Sequence, residues 1–457
     1  MRLRVRFNGP LPTRALVLLL AVALLSCSRG GDSRPNVVFL IGDDHGYPYY
    51  GFTGSSIVQT PTLDRLASEG ALFHQGFSTS SVCRPSLFSL LTSRFPYDRR
   101  LYEEEVPESR QLVVGTPVAE FGTLPGLLSR AGYATFQGGK HWEGPYAASG
   151  FTEGMSGAGP YDRERAMELS PLATLAGGGG LALGRDTMEP VYDFVDRHLD
   201  TPFFLWFAPM LPHAPMDPPE EYRRRYAGQE LSSSAQVYYA NITRFDSVVA
   251  ELLDHLERRG VLEQTLVIYL SDNGLDQPPG RQYPSFGGPS GKLSVRELGF
   301  RTPILVHWPE RIRGGFTSED LVSALDIGPT ILDYAGIPIP DDWPGRSLRG
   351  AIERGEPVGR DVLIGWQERE RLAQPRRQIL TRPFFWAVSD LRHYVFTPET
   401  GEEQLFNRSA SPYGAPDVSG EHLQATAAMR ARVEAWRDER TASVKELIAT
   451  SKRTPTD

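Results

Sequence analysis

Two short apolar runs, each followed by acidic or amide side chains, constrain most strongly how this 457-residue chain can fold. Asp43 and Asp44 come directly after residues 36–42, and Asp272 and Asn273 follow the run at residues 266–270. Continuous apolar runs of this length predict strands that are buried on both faces of a parallel sheet. Because ligands of open α/β sheets bind outside the carboxyl ends of the strands, we expect both polar pairs to face one site.

The remaining apolar segments alternate with helical patterns. Strand-like runs occur at residues 203–207 and 304–306, and helical patterns occur at residues 60–70, 191–199 and 236–259. This alternation predicts an α/β fold with a large, mostly parallel sheet flanked by helices, within residues 35–350. The pattern then changes to short strands at residues 362–366, 384–388 and 393–396 and a helix at 423–447. We therefore predict a smaller C-terminal α+β subdomain at residues 351–457.

The N-terminus has the pattern of an export signal. It carries four arginines and then the apolar residues 16–25, a run that is too short to span a bilayer and is typical of a secretory signal. The run ends in LLSC at residues 24–27, which resembles a bacterial lipobox. We predict that residues 1–27 are a lipoprotein signal peptide with lipid attachment to Cys27, which would anchor the protein to the membrane; an ordinary signal peptide is the alternative. Both kinds of signal peptide predict an exported protein of the bacterial envelope, either in the periplasm or at the cell surface.

Lipidation of Cys27 would leave Cys83, the only other cysteine, without a disulfide partner. An unpaired thiol in an exported protein therefore needs another role. The net charge is -8, and removal of the four signal arginines would make it more negative. This charge argues against a nucleic-acid partner, because phosphate backbones bind basic surfaces. It does not exclude a small anionic substrate, since local cations and a bound metal set the field inside a pocket.

The polar residues at the two strand ends suit a divalent metal. Asp43, Asp44, Asp272 and Asn273 offer oxygen atoms, which are the ligands that a hard cation such as calcium prefers. The sequence has no histidine or cysteine cluster of the kind that binds zinc. Acidic residues after strands also cap helices and turns, so a single pair would be a weak signal. Two such pairs together favour a metal site.

Cys83 lies just before a predicted helix, in the sequence Cys83-Arg84-Pro85-Ser86. Proline suits the first turn of a helix, and a helix N-terminus favours developing negative charge. This setting indicates a functional cysteine. A buried structural cysteine is the alternative.

Several segments, in the same order, resemble the sulfatase family of the alkaline-phosphatase-like superfamily. The most specific is the cysteine motif at residues 83–86. The others lie at residues 36–47, 60–70, 132–140, 212–215, 271–274, 291–292, 300–303, 325–336 and 345–348. The resemblance extends from Pro35 to about Gly350.

The resemblance implies that a maturing enzyme oxidises Cys83 to formylglycine, whose hydrate lies beside calcium. Residue 83 would then join Asp43, Asp44, Asp272 and Asn273 as a metal ligand. One hydroxyl of the hydrate attacks the sulfur atom of a sulfate ester, and the second hydroxyl later expels the sulfate. Water need not attack sulfur in this scheme.

The resemblance also implies roles for basic residues. Lys140 and Lys292 would neutralise the sulfate oxygens, and His213 would protonate the leaving alcohol. His141 directly follows Lys140, whereas the family pattern has one residue between lysine and histidine. We expect His141 to be the base of the elimination step, with a surface histidine as the alternative.

The cysteine motif departs from the family pattern at one position. Leu87 stands where the family has an arginine, which serves both recognition by the maturing enzyme and the polar network around the aldehyde. Arg84 lies on the other side of Pro85, so its guanidinium would approach the pocket from a different direction.

The substrate class is the least constrained prediction. An exported sulfatase would act on a sulfated small molecule or glycan, and Trp142 and Tyr146 could stack on sugar rings. The glycine-rich residues 144–184 are expected to form a substrate-side loop. The alternatives are a phosphate or phosphonate ester hydrolase of the same superfamily, or a catalytically weak lipoprotein that binds sulfated glycans.

Overall fold

The structure is a computed structural model that describes residues 34–105, 118–156, 182–285, 287–367, 383–409 and 415–451. The predicted signal peptide at residues 1–27, with Cys27, lies outside these residues, as does the greater part of the predicted loop at 144–184. From Pro35 onward the described residues belong to one compact unit. The boundary between catalytic region and C-terminal subdomain at residue 350 stays a prediction.

The main sheet of the described chain has eight strands in the order β4-β3-β5-β1-β6-β7-β2-β8. They are β1 Asn36–Gly42, β2 Ala71–Phe77, β3 Ala134–Gly139, β4 Glu153–Gly154, β5 Phe203–Ala208, β6 Thr265–Ser271, β7 Arg301–His307 and β8 Phe316–Ser323. Only β7 runs antiparallel to its neighbours, β6 and β2. The predicted large, mostly parallel sheet is therefore confirmed.

The centre of this sheet explains the continuous apolar runs in the sequence. All residues of β1, β5 and β6 are buried. Side chains of β1 alternate between two apolar clusters, with Phe39 in one and Leu40 in the other. Both faces of the strand thus meet helices, and neither face needs polar side chains.

Ten α-helices are described. They are α1 Pro61–Glu69, α2 Cys83–Thr92, α3 Pro96–Glu105, α4 Leu124–Arg130, α5 Glu189–Arg197, α6 Glu220–Arg224, α7 Ser233–Arg258, α8 Ile327–Tyr334, α9 Arg349–Arg354 and α10 Leu423–Ser451. Helix α2 packs into the cluster that contains Phe39, and α5 and α7 pack into the one that contains Leu40. Helices therefore cover both faces of the sheet, as predicted. None of the described helices is long and apolar enough to cross a membrane.

The C-terminal part contains a second, antiparallel sheet in the order β12-β11-β10-β9. Its strands are β9 Leu363–Gln367, β10 Phe384–Val388, β11 Arg392–Thr397 and β12 Glu402–Asn407. Helix α10 packs on this sheet through Met429 and Val433. The predicted α+β character is confirmed, but the sequence predicted three strands where the structure has four.

Candidate active site

The pairing of β1 with β6 brings the two polar pairs together. The parallel register places Gly42 beside Ser271, so Asp43 and Asp272 emerge side by side. The backbone N–H of Asp44 donates to Oδ1 of Asp272 over 3.1 Å, and Asn273 Nδ2 donates to Oδ1 of Asp44 over 2.7 Å. All four polar residues are buried. The expectation that both pairs face one site agrees with this arrangement.

Two lysines pair with the carboxylates. Lys140, directly after β3, donates to Oδ1 and Oδ2 of Asp43, both over 2.7 Å. Lys292 lies in a loop before β7, and its Nζ is 2.6 Å from Oδ1 of Asp44. Burial alone would raise the pKa of Asp44, but attraction to Lys292, His213 and Lys140 brings this pKa well below its usual value. Both lysines stay charged, since their carboxylate partners raise the pKa of each despite burial.

Cys83 is the first residue of α2, whereas the sequence predicted that it lies just before the helix, and its side chain points into this cluster. Its Sγ lies 3.1 Å from the Nζ of Lys292. Burial raises the pKa of the Cys83 thiol to about 12, although Lys140 and Lys292 act in the opposite direction. The unmodified side chain is therefore a neutral thiol at neutral pH, which is a weak nucleophile.

His213 lies in the loop after β5. Its Nε2 is 3.6 Å from Oδ2 of Asp44, and its Nδ1 is 2.6 Å from the carbonyl of Ala214. A carbonyl only accepts hydrogen bonds, so Nδ1 carries the hydrogen, and Nε2 is the atom that gains or loses a proton. Burial lowers the pKa of His213, and Asp43 and Asp44 partly offset this effect. The ring can therefore exchange a proton at the atom that faces the site.

The His213 loop is held by an arginine that the sequence did not single out. Arg185 donates from Nη2 to the carbonyl of His213 over 3.0 Å, and its Nε is 3.4 Å from Oδ1 of Asp217. Arg244 lies 3.5 Å from the same oxygen and donates to the Arg185 carbonyl. Arg185 follows a glycine-rich stretch and belongs to no motif, so no sequence signal could have identified it.

The loop before Cys83 is held from the C-terminal sheet. Gln367, at the end of β9, is fully buried, and its Oε1 accepts hydrogen bonds from Ser80 Oγ over 2.7 Å and from the backbone N–H of Ser81 over 2.9 Å. A lone glutamine after a short strand gave no sequence signal for this role.

At the position of the family arginine, Leu87 is 1% exposed and packs in an apolar cluster with Phe88. The Nε of Arg84 lies 3.3 Å from Oε1 of Glu143. Arg99 of α3 lies 3.0 Å from the same oxygen. The two guanidinium groups therefore share one buried carboxylate beside the start of α2.

His141 is fully buried, so the alternative of a surface histidine is wrong. Neither ring nitrogen has a hydrogen-bond partner in the part of the chain that the structure describes, and the ring meets Phe151 edge-on at 6.2 Å between centroids. Burial lowers the pKa of His141 to about 4. The ring is neutral at neutral pH. Trp142 and Tyr146, the predicted sugar contacts, are partly buried against the apolar cluster around Phe39.

The donor atoms fit a divalent metal. Asp43, Asp44, Cys83 and His213 each offer one ligand atom, and these atoms lie within 4.8 Å of one another. Next to them, Oδ2 of Asp272 and Oδ1 of Asn273 are buried and accept no hydrogen bond from the described residues, and the Nζ of Lys140 lies 3.8 Å from that oxygen of Asp272. Buried oxygens without donors are costly unless a cation satisfies them. Predominantly oxygen donors suit a hard cation.

Comparison with known proteins identifies the family. The family model described as Sulfatase matches residues 35–337. N-acetylgalactosamine-6-sulfatase of Mus musculus is 30% identical over 386 residues, covering 76% of this chain and 71% of the relative. Arylsulfatase A of Homo sapiens is 32% identical over 370 residues, covering 72% of this chain and 68% of the relative.

Solved structures share the fold. The structure of Ps i-CgsB in complex with k-i-k-neocarrahexaose has a TM-score of 0.69 at 23% identity, and covers 89% of this chain and 93% of that one. A phosphonate monoester hydrolase from Silicibacter pomeroyi has a TM-score of 0.66 at 18% identity, with 89% and 96% covered. The family match and the two sulfatase relatives show that this chain belongs to the sulfatase family and is a sulfuric ester hydrolase.

Proposed function

We propose that this protein hydrolyses sulfate esters of carbohydrates, using a formylglycine made from Cys83 and a bound calcium ion. The observation that carries the proposal is the position of Cys83 at the start of α2, with Sγ 3.1 Å from Lys292 Nζ, which also pairs with Asp44. A modified side chain at residue 83 would lie among the metal-binding oxygens and two cations. An unmodified, neutral thiol there would have little reactivity.

Asp43, Asp44, Asp272, Asn273 and residue 83 would hold the metal. When bound, a calcium ion would withdraw electron density from the sulfate group and favour an ionised oxygen on residue 83. The unsatisfied oxygens of Asp272 and Asn273 support this ligand set. His213 also has a nitrogen within reach of the cluster, but we propose a different role for it.

The basic residues would act on the sulfate and the leaving group. Lys140, whose side chain is 3% exposed, and Lys292, whose side chain is 10% exposed, would neutralise the sulfate oxygens, and their charge acts strongly because little water reaches it. The protonated form of His213, which carries a hydrogen on Nε2 as well as on Nδ1, would give the Nε2 proton to the oxygen of the leaving alcohol. His141 would accept the proton of the second hydroxyl; its ring is neutral and can accept a proton, but burial makes it a weaker base than a free imidazole.

The substrate proposal rests on the relatives. N-acetylgalactosamine-6-sulfatase acts on a sulfated sugar by its name, and one structure of the same fold holds a carrageenan-type oligosaccharide. We propose a sulfated glycan as the substrate here, and an exported lipoprotein with a lipid on Cys27 as the cellular form.

Leu87 favours one second candidate, a sulfated-glycan-binding protein with little turnover. Its side chain packs in the core and offers no cation to the site or to a maturing enzyme. If Cys83 is not converted, the two lysines would still bind sulfate groups.

The deciding experiment is mass spectrometry of the peptide that carries residue 83. The protein would be purified from a host with a formylglycine-generating system and assayed in parallel on sulfate, phosphate and phosphonate esters. Aldehyde at residue 83 together with a preference for sulfate esters is the expected result, and Cys83→Ala should abolish turnover. Thiol alone, in the native host as well, would favour the binding protein, while a preference for phosphonates would contradict the sulfate proposal.

A further inference from the structure

A cavity of about 390 Å³ lies between the main sheet and the C-terminal helix α10, away from the active site. Its wall includes Phe95, Arg346, Arg360, Arg432, Trp436 and Arg440. Phe95 lies just after the C-terminal end of α2, and Cys83 is at the N-terminal end of that helix. Because the helix has 10 residues, its two ends are roughly 15 Å apart. The volume is within the range of small-ligand sites. The cavity is therefore a separate candidate binding site.

Two of the four arginines are neutralised by buried acids. Arg360 donates to both carboxylate oxygens of Asp326 over 2.7 and 2.8 Å. Arg440 lies 3.7 Å from Asp98 and 2.6 Å from Glu439, which is mostly exposed. The charges of these two arginines are therefore balanced within the protein.

The other two arginines have no carboxylate partner among the described residues. Arg346 donates from Nη1 to the carbonyls of Val358 and Gly359, over 2.9 and 2.6 Å, which fixes the guanidinium without neutralising it. Arg432 is exposed on α10. A guanidinium that is held by carbonyls keeps its remaining N–H groups free to donate to two oxygens of a carboxylate or sulfate group.

Arg440 belongs to the compensated part of the wall. Its side chain is 7% exposed and lines the cavity, and its guanidinium lies near Asp98 and Glu439, of which Glu439 also lines the cavity. The accessible positive charge of the cavity therefore comes from Arg346 and Arg432.

We propose that this cavity is a second anion-binding site, which takes a sulfate or carboxylate group, carried on a glycan or free in solution. Arg346 and Arg432 would supply the accessible positive charge. Trp436 and Phe95 give the cavity an apolar wall against which a sugar ring can pack. The suggestion that the anionic group is attached to a glycan rests on the proposed function. The proposal that the cavity binds an anion does not depend on it.

Binding of fluorescent dextran sulfate tests the proposal, with neutral dextran as the reference probe. All proteins would carry Cys83→Ala to prevent turnover. The double variant Arg346→Gln, Arg432→Gln should bind roughly tenfold more weakly, as expected for the loss of two charge contacts. The matched control, Arg223→Gln with Arg224→Gln, removes two exposed arginines of α6 and should bind within about twofold of the parent.

Unchanged affinity in the double variant, or an equal loss in the control, would overturn the anion site. Displacement of the probe by millimolar inorganic sulfate would assign the site to free sulfate, and displacement only by sulfated oligosaccharides would assign it to a glycan. The proposed function is tested separately, because the binding assay needs no turnover. It would be contradicted if the wild-type protein showed no turnover of sulfate esters.

Discussion

Lys140 and Lys292 place the positive charge of the active site against its carboxylates. Each ammonium lies 2.6–2.7 Å from a buried aspartate, Asp43 or Asp44. The sequence predicted that Asp43, Asp44, Asp272 and Asn273 would meet, because the ends of adjacent parallel strands share one edge of the sheet. It could not predict which lysine pairs with which carboxylate, since that depends on loops without regular structure. Arg185 was not predictable for the same reason.

Calcium should stabilise the protein through the free oxygens at the strand ends. We expect saturating Ca²⁺ to raise the melting temperature of the wild-type protein by roughly 3 °C, because a ligand that binds only the folded state stabilises it. Asp272→Asn should lose most of this increase, as it replaces a ligand carboxylate by an amide. Asp254→Asn, an exposed position on α7, is the control and should keep it. Differential scanning calorimetry with and without chelator measures both. An increase that persists in Asp272→Asn would contradict the ligand assignment.

Arg185 should affect catalysis through the position of His213. We expect Arg185→Ala to lower kcat by roughly tenfold on esters with a poor leaving group, because a displaced His213 no longer delivers its proton. Esters with an acidic leaving group need little protonation and should lose less than about threefold. Comparison of kcat across a leaving-group series, with Arg185→Lys as the conservative variant, provides the measurement. Equal losses for all leaving groups would indicate a general structural defect and count against this role.

At the scale of elements, the strands that are apolar throughout were predictable, whereas β2, β3, β4, β8 and β12 were not predicted as strands. β1, β5 and β6 are buried throughout and appear as continuous apolar runs. β8 reads FTSEDLVS and is partly exposed along its first half, and β12 begins with Glu402, Glu403 and Gln404. Such strands are held by hydrogen bonds to a neighbour rather than by their own apolar side chains, so their sequences resemble loops.

The contact between α3 and α10 should make stability depend on pH. Asp98 of α3 is 1% exposed, and burial raises its pKa from 3.8 to about 6 despite the attraction of Arg440 and Arg94. The folded protein thus binds this proton more tightly than the unfolded chain. Protonated Asp98 stabilises the fold at low pH, and that contribution is lost as the pH rises from about 4 to about 6.

Asp98→Asn removes this titration. We expect the free energy of unfolding of the variant, relative to wild type, to rise by up to roughly 3 kcal/mol between pH 4 and pH 7, which corresponds to a shift of about two pKa units. Urea unfolding of both proteins at several pH values checks this. Asp438→Asn, at an exposed position of α10, should show a constant difference. If the free energy of unfolding of Asp98→Asn also differs from that of the wild type by the same amount at every pH, the pKa of Asp98 is not raised in the folded protein.

At the scale of the whole molecule, the C-terminal sheet is fixed to the catalytic region by polar and aromatic contacts. Arg408, after β12, pairs with the buried Glu297 over 2.8 Å, and Trp386 stacks on Phe300 with centroids 4.5 Å apart. Gln367 extends this junction to the loop that precedes Cys83. The pattern of short strands and a helix in residues 351–457 predicted a smaller subdomain, but long-range side-chain contacts of this kind leave no local pattern in a sequence.

Gln367 should therefore influence the active site from the second sheet. Gln367→Met keeps the side-chain volume and removes the oxygen that orients Ser80 and Ser81. We expect a loss of about 1–3 kcal/mol in the free energy of unfolding, because buried donors lose their acceptor, and a roughly tenfold lower kcat/KM, because residue 83 moves relative to Lys292. Gln404→Met, the same change at a more exposed position of β12, controls for the substitution itself. If Gln367→Met lowers stability but leaves kcat/KM at the wild-type value, the second sheet supports the fold without positioning the residue that reacts.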